Sequence, residues 1–172
     1  MKPMSFWLLL FFIPIFATAQ DSKLSIFESL QFQEVIDITL ETSFQSMIAN
    51  PANEEYQAAT FSYQDADGNK MKWNAQVKQR GKYRRRICEM PPLKLKFAKA
   101  DLEAKGLKKG YNEMKVVTYC VDDPTSKETV IKEYLIYKMY NELSDQSFRV
   151  QLVRINYVDT QDPNKNQNIL GF

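Results

Sequence analysis

The sequence predicts an α+β fold, in which a mainly antiparallel sheet accompanies one long buried helix. Several segments alternate apolar and polar residues, as half-buried strands do. Clusters of turn-forming residues separate neighbouring strands. Only Ser126–Leu143 combines helical periodicity with the length of a long helix. Many strands with a single long helix are typical of an α+β domain.

The first 19 residues have the pattern of a secretory signal peptide. Lys2 precedes the almost wholly apolar run Phe6–Phe16, and Ala17-Thr18-Ala19 offers a cleavage site. An uncleaved membrane anchor is the alternative, but the run is shorter than the ~20 residues of a span and contains Pro14. We therefore expect residues 20–172 to form one domain that is exported to the periplasm or outside the cell. We expect no stable membrane insertion after cleavage.

The composition excludes several kinds of chemistry. The chain has 23 Lys and Arg residues, 21 Asp and Glu residues and no histidine. The lack of histidine excludes a histidine base, a Ser-His or Cys-His nucleophile and most zinc sites. The nearly neutral net charge gives no overall field that would attract nucleic acid. We expect no nucleic-acid partner, and no residue is assigned to a metal.

The first strands are predicted from alternation and from a turn. Glu34–Thr42 alternates, and Tyr56–Gln64 and Lys70–Arg80 flank the turn cluster Asp65–Asn69. The cluster is the connection of a β-hairpin. A calcium loop is the alternative, but the later acidic ligand of such a loop is missing.

Two cysteines, Cys88 and Cys120, flank the next pair of predicted strands. Leu93–Phe97 and Met114–Thr118 both alternate, with a turn signal between them. If these strands pair antiparallel, the two sulfurs lie at the same end of the pair. An exported protein with an even number of cysteines is expected to form a disulfide, and two free buried thiols are the alternative.

The predicted helix Ser126–Leu143 carries apolar residues on more than one side. Four residues near Pro124 are candidates to cap its N-terminus: Asp122, Asp123, Thr125 and Ser126. Its apolar residues form a stripe and also cover much of the opposite side: Ile131, Leu135, Met139 and Leu143, then Val130, Tyr134 and Tyr137. This distribution predicts burial on more than one face. Glu133 and Lys138 are the polar exceptions, either functional or solvated.

The chain ends with a long strand and a short apolar run. Ser147–Thr160 is predicted to be a strand, and a slip of its alternation near Leu152-Val153 indicates a bulge or burial on both faces. After a polar turn, Asn168–Phe172 is apolar again. This run either docks as a last strand or belongs to a larger fold that the chain only begins. We expect truncation, because chain ends fray unless they are held.

Six basic residues occupy nine positions before the strand Leu93–Phe97. They are Lys78, Arg80, Lys82, Arg84, Arg85 and Arg86. Guanidinium groups bind phosphate and carboxylate oxygens in pairs, so the segment can grip an anionic ligand. The alternative is a solvated loop whose arginines pair with surface acids such as Glu89.

An ordered set of segments resembles a known family. The matching segments are Val77–Arg86, Cys88 with Pro91–Phe97, Lys115–Cys120, Val130–Leu143 and Ser147–Asp159. In this order and spacing they resemble the N-terminal part of exported bacterial proteins of the spore-coat protein H (CotH) kinase-like family, in the form common among Bacteroidetes.

The resemblance implies the N-lobe of an atypical protein kinase fold and ATP-dependent phosphoryl transfer with a divalent metal. By position, Lys94 or Lys96 is similar to the strand lysine, and Glu133 to its partner on the helix. The resemblance also implies phosphate contacts for four arginines: Arg80, Arg84, Arg85 and Arg86. The family's catalytic acids would fall after Phe172, so no residue here is assigned as catalytic, and the enzyme status stays open.

The alternative function is a non-catalytic extracytoplasmic module. In it the basic segment would grip an anionic cell-surface ligand or a protein partner. Lys94 and Lys96 would then belong to an ordinary half-exposed edge strand.

Overall fold

The computed structural model describes residues 23–172, and the predicted signal peptide lies outside this range. These residues form an α+β fold with one mostly antiparallel sheet, as the sequence predicts. The strands are β1 Val35–Thr42, β2 Gln57–Gln64, β3 Lys70–Gln79, β4 Leu93–Phe97, β5 Glu113–Val116, β6 Leu152–Asp159 and β7 Gln167–Gly171. The helices are α1 Phe44–Ala49, α2 Arg84–Ile87, α3 Lys99–Ala104 and α4 Pro124–Leu143.

The seven strands lie in the order β5-β4-β3-β2-β1-β6-β7. From β1 to β5 each strand pairs antiparallel with the next along the chain. The chain then returns through α4 to the other side of β1, where β6 pairs parallel, with Val35 opposite Leu152. β7 completes the sheet antiparallel to β6. The parallel pair is the part of this topology that strand alternation did not predict.

Alternation directs one set of large side chains into a common interior. Trp73, Phe61 and Phe97 are buried, and the Phe97 ring meets the other two edge to face at centroid distances of 6.0 and 5.5 Å. Burial of each such side chain contributes about 1.5–3 kcal/mol. The aromatic group is extended by buried aliphatic and tyrosine side chains: Ile36, Leu40, Leu93, Leu95, Ile155 and Tyr157.

The two edges of the sheet meet at one point, so the sheet is curled. The N–H of Val117, directly after β5, donates to the carbonyl of Phe172 at 2.8 Å, and the N–H of Phe172 donates back at 3.0 Å. Gly171 allows this approach, because a Cβ there would lie 2.5 Å from the carbonyl oxygen of Val117. The apolar run Asn168–Phe172 therefore pairs with β6 on one side and with Val117 on the other.

The predicted hairpin between β2 and β3 is confirmed. Asp65 accepts hydrogen bonds from the N–H groups of Asp67 and Asn69 at 3.0 and 2.8 Å. Gly68 has a φ of 82°, a conformation that favours glycine. The Asp65 carboxylate thus accepts hydrogen bonds from the backbone of the turn. This is the hairpin connection that was predicted in preference to a calcium loop.

The predicted disulfide between Cys88 and Cys120 is also present. As expected, β4 and β5 pair antiparallel, with Leu93 opposite Val116, so both cysteines lie at one end of the pair. The N–H of Glu89 donates to the carbonyl of Cys120 at 2.8 Å. This bond and the disulfide together tie the segment before β4 to the segment after β5.

The helix α4 begins at Pro124, two residues before the predicted Ser126, and its predicted burial is wrong. Asp123 caps it by accepting from the N–H groups of Thr125 and Ser126 at 2.8 and 3.0 Å. Only Val130 and Tyr134 of this helix are buried. A curled sheet of this size offers α4 a single surface, so the second apolar side of the helix is exposed.

The strand β6 is shorter than predicted. It begins at Leu152 rather than at Ser147, and its burial alternates regularly from there to Asp159. The slip near Leu152-Val153 therefore marks the start of the strand and not a bulge within it. Within residues 23–172, no helix combines the length and the apolar character that a membrane span requires.

A carboxylate fixes the segment before β1. Glu28 accepts a hydrogen bond from the N–H of Ser25 at 2.7 Å and one from Arg149 at 3.1 Å. The Nζ atom of Lys108 lies 3.9 Å from Oε2 of Glu28. These contacts lower the pKa of Glu28 from 4.5 to about 2. The largest contribution comes from the Ser25 N–H, followed by the Ser25 hydroxyl, Arg149 and Lys108.

Substitution of Gly171 tests the joining of the sheet edges. We expect Gly171→Ala to lower the free energy of unfolding by about 1–3 kcal/mol, because the new methyl group must push the Val117 backbone away. Gly110→Ala is the matched control, since a Cβ at Gly110 meets nothing within 4 Å. Equal urea midpoints for the two variants would contradict the closure.

The depressed pKa of Glu28 predicts a pH dependence of stability. Its stabilisation is complete above pH 4.5 and is lost as the pH falls towards 2, where the folded state also takes up the proton. Glu28→Gln should therefore destabilise by about 1–3 kcal/mol at pH 7, with a difference that shrinks on acidification. Urea unfolding at several pH values measures this, with the exposed Glu34→Gln as the control. A difference independent of pH would refute the role of the charge.

Candidate functional site

Three lysines lie side by side on the outer face of the sheet. The inward positions of β3, β4 and β5 are apolar except for the buried Gln79, and Lys78, Lys94 and Lys115 alternate with them and point outward. Lys78 is directly opposite Lys94, and Lys94 is directly opposite Lys115. We call these three residues the lysine row. Like charges directly opposite one another destabilise a sheet, so this arrangement is unfavourable without a counter-charge.

One carboxylate and two aromatic rings lie against the row. Lys94 Nζ is 2.7 Å from Glu113 Oε2, and Glu113 also accepts from the Tyr56 hydroxyl at 3.2 Å. The Nζ atoms of Lys78 and Lys96 lie 4.7 and 5.4 Å from the centre of the Tyr56 ring. Lys115 Nζ lies 4.4 Å from the centre of the Phe148 ring. Aromatic faces attract cations, so the rings hold the ammonium groups in place.

The ion pair between Lys94 and Glu113 shifts the pKa of both of its members. The hydrogen bond from Lys94 lowers the pKa of Glu113, and the same bond raises the pKa of Lys94. Burial, and then the bond to Glu113, raise the pKa of the Tyr56 hydroxyl. Lys94 and Lys96 therefore act on the Glu113 carboxylate, whereas Lys78 acts on the Glu54 carboxylate and Lys115 lies over the Phe148 ring.

A shallow cavity of about 220 Å³ continues from the lysine row. Its lining is mostly basic and includes Lys78, which belongs to both features; the residues are Glu54, Lys78, Gln79, Arg80, Gly81, Lys82 and Arg85. We call it the basic cavity. It lies where β3 ends and the chain turns through Gly81, whose φ is 84°. The cavity and the row form one continuous cationic surface.

Arg85 and Gln79 lie in the wall of the basic cavity. The Arg85 side chain is only 10% exposed, and its Nη2 atom is 2.5 Å from Glu54 Oε1. This bond lowers the pKa of Glu54. Gln79 Nε2 donates to the carbonyl of Met47. Arg85 Nε and Gln79 Oε1 are buried without a hydrogen-bond partner among the described residues, which is costly unless another molecule supplies one.

The structure brings some of the predicted site residues together and separates others. Arg80 and Arg85 line the basic cavity, whereas Arg84 and Arg86 are exposed on α2 outside its lining. Arg85 pairs with Glu54 and not with Glu89.

The two predicted strand lysines and the helix carboxylate do not meet. Lys94 pairs with Glu113, and Lys96 lies over Tyr56. Glu133 lies half-buried on α4 and forms no ion pair within residues 23–172. The expected contact between a strand lysine and Glu133 is therefore absent from this arrangement.

Sequence reasoning missed Tyr56, Glu54 and Glu113. Each belongs to the site only because segments distant in the sequence lie next to one another in the fold. Lys115 also faces outward by its alternation, but its place beside Lys94 follows from the register of β4 and β5. A prediction of that register would have found the lysine row.

Neither a protein-family model, nor a curated protein, nor a solved structure matches this chain. Within residues 23–172, no group of three or more His, Cys, Asp or Glu side chains is placed to hold a metal ion.

Proposed function

We propose that the protein is an exported, non-catalytic binding module whose cationic surface holds an extended oligoanion carrying phosphate groups. The observation that carries the proposal is the lysine row. Three directly opposed lysines reduce the stability of the sheet, and Glu113 offsets only part of their charge. A bound oligoanion would supply the missing counter-charges.

The spacing of the row fits a ligand that extends across the strands. Neighbouring strands lie about 4.8 Å apart, so the three lysines span roughly 10 Å. A short phosphate chain can contact all three ammonium groups and reach the basic cavity. There Arg80 and Lys82, which line the cavity and are not fully buried, would donate to phosphate oxygens.

The predicted export of the protein supports the same proposal. The signal-peptide pattern predicts it, and the Cys88–Cys120 disulfide agrees with an oxidising compartment. In that setting the ligand would be an anionic cell-surface polymer or a phosphorylated partner.

A second candidate is the N-lobe of a CotH-like kinase that binds ATP with a divalent metal. It is favoured by the order of elements, since Lys94 and Lys96 lie on a strand that precedes the long helix with Glu133. In this candidate, Glu133 would replace Glu113 as the partner of the strand lysine. Phosphoryl transfer would need acids that residues 23–172 do not bring together.

Binding of small anions tests both candidates. We expect inorganic triphosphate to bind the purified protein at low salt, with an affinity that falls as salt is added. Two further probes are compared with triphosphate. Polygalacturonate carries carboxylates in place of phosphates, and ATP with Mg²⁺ carries a nucleoside and a metal in addition to the phosphates. ATP binding at least tenfold tighter than triphosphate would favour the kinase-like lobe. No calorimetric signal from any of the three probes at about 1 mM would refute an anion site.

Neutralising the end of the lysine row should weaken binding without weakening the fold. We expect Lys115→Gln to reduce triphosphate affinity about five- to tenfold and to leave the melting temperature unchanged or higher, because it removes a like charge. The matched control is Lys72→Gln, which changes an exposed lysine on the same face of β3 but outside the row. Equal affinities for the two variants would exclude the row as the binding surface.

A further inference from the structure

The helix α4 uses one of its two apolar sides to pack against the sheet. Val130 and Tyr134 are buried. Tyr137 lies with its ring centroid 5.9 Å from that of Phe172 and 6.4 Å from that of Phe148. These positions are spaced by four and three residues, so they share one face of the helix.

The opposite side of the last turns of α4 is apolar and uncovered. It carries five large side chains that are between 52% and 81% exposed: Leu135, Ile136, Met139, Tyr140 and Leu143. A fully exposed large side chain presents about 200 Å², so the five together leave on the order of 600 Å² in contact with water. This area is near the lower limit of what one partner contributes to a specific interface. We call it the α4 patch.

We propose that the α4 patch binds a second copy of this chain, with the two α4 helices antiparallel. The central stripe of the patch is symmetric about Met139, since Leu135 and Leu143 lie four residues on either side. A two-fold axis beside Met139 places Leu135 of one copy against Leu143 of the other, so the contact is complementary to itself.

The charges beside the patch are compatible with this arrangement. Lys138 and Glu142 border it, and neither forms an ion pair within residues 23–172. With the two-fold axis beside Met139, the position opposite Lys138 is Tyr140 of the other copy, and Glu142 of that copy lies two residues further along on the same flank of the contact. A parallel pair would instead place like charges together. Towards the N-terminus, the Glu128–Lys132 ion pair makes the same side of the helix polar, so the contact is confined to the last turns.

Sedimentation velocity of the purified protein tests the proposal. We expect a dimer at about 100 µM that dissociates on dilution towards 1 µM. Met139→Glu should weaken the dimer at least tenfold, because the axis brings the two introduced carboxylates together. Lys99→Glu makes a charge change on an exposed residue of α3 and should have no effect. Circular dichroism of both variants checks that the fold is unchanged.

A reversal of charge then tests the antiparallel orientation. Lys138→Glu alone should weaken the dimer about three- to tenfold, and the double variant Lys138→Glu with Glu142→Lys should restore it to within about twofold. A double variant no tighter than the single one would overturn the arrangement.

Other results of the sedimentation experiment would overturn the proposal itself. A protein that stays monomeric at about 100 µM would overturn it. If that monomer floats with phospholipid vesicles, the α4 patch binds lipid instead. A dimer that Met139→Glu leaves intact would also overturn it, because the contact would then lie elsewhere.

Discussion

The fold depends on the pair of backbone hydrogen bonds that joins Val117 to Phe172. Without them, β5 and β7 would be two open edges with unpaired N–H and C=O groups. With them, the sheet curls around the buried aromatic group of Trp73, Phe61 and Phe97. The disulfide acts at the same corner, because Cys120 follows Val117 by three residues and is tied to the segment before β4.

The surfaces with proposed functions follow from this curl. Because the apolar side chains of β3, β4 and β5 fill the interior, their lysines collect on the outer face, where Glu113 and Tyr56 hold part of the charge. The curl also limits what can be buried. It offers α4 only one surface, and the remaining apolar side of that helix stays available for a partner.

Features that depend on neighbouring residues were predictable, and features that depend on distant ones were not. Alternation located β1 to β5, and the turn residues located the hairpin at Asp65. Cysteine spacing and strand alternation together predicted the disulfide. The prediction that α4 is buried on more than one face was wrong. Both sides of the helix are apolar, and periodicity does not show which side packs. The lysine row requires the register of three strands, and the β1–β6 pair joins segments far apart in the chain.

Hydrogen exchange at the two closing amides tests this account most directly. The account predicts that the N–H groups of Val117 and Phe172 exchange as slowly as the N–H groups that join the central strands β2 and β3, through global unfolding. Exchange of these two amides at the rate of a free chain end, while β2 and β3 stay protected, would contradict it.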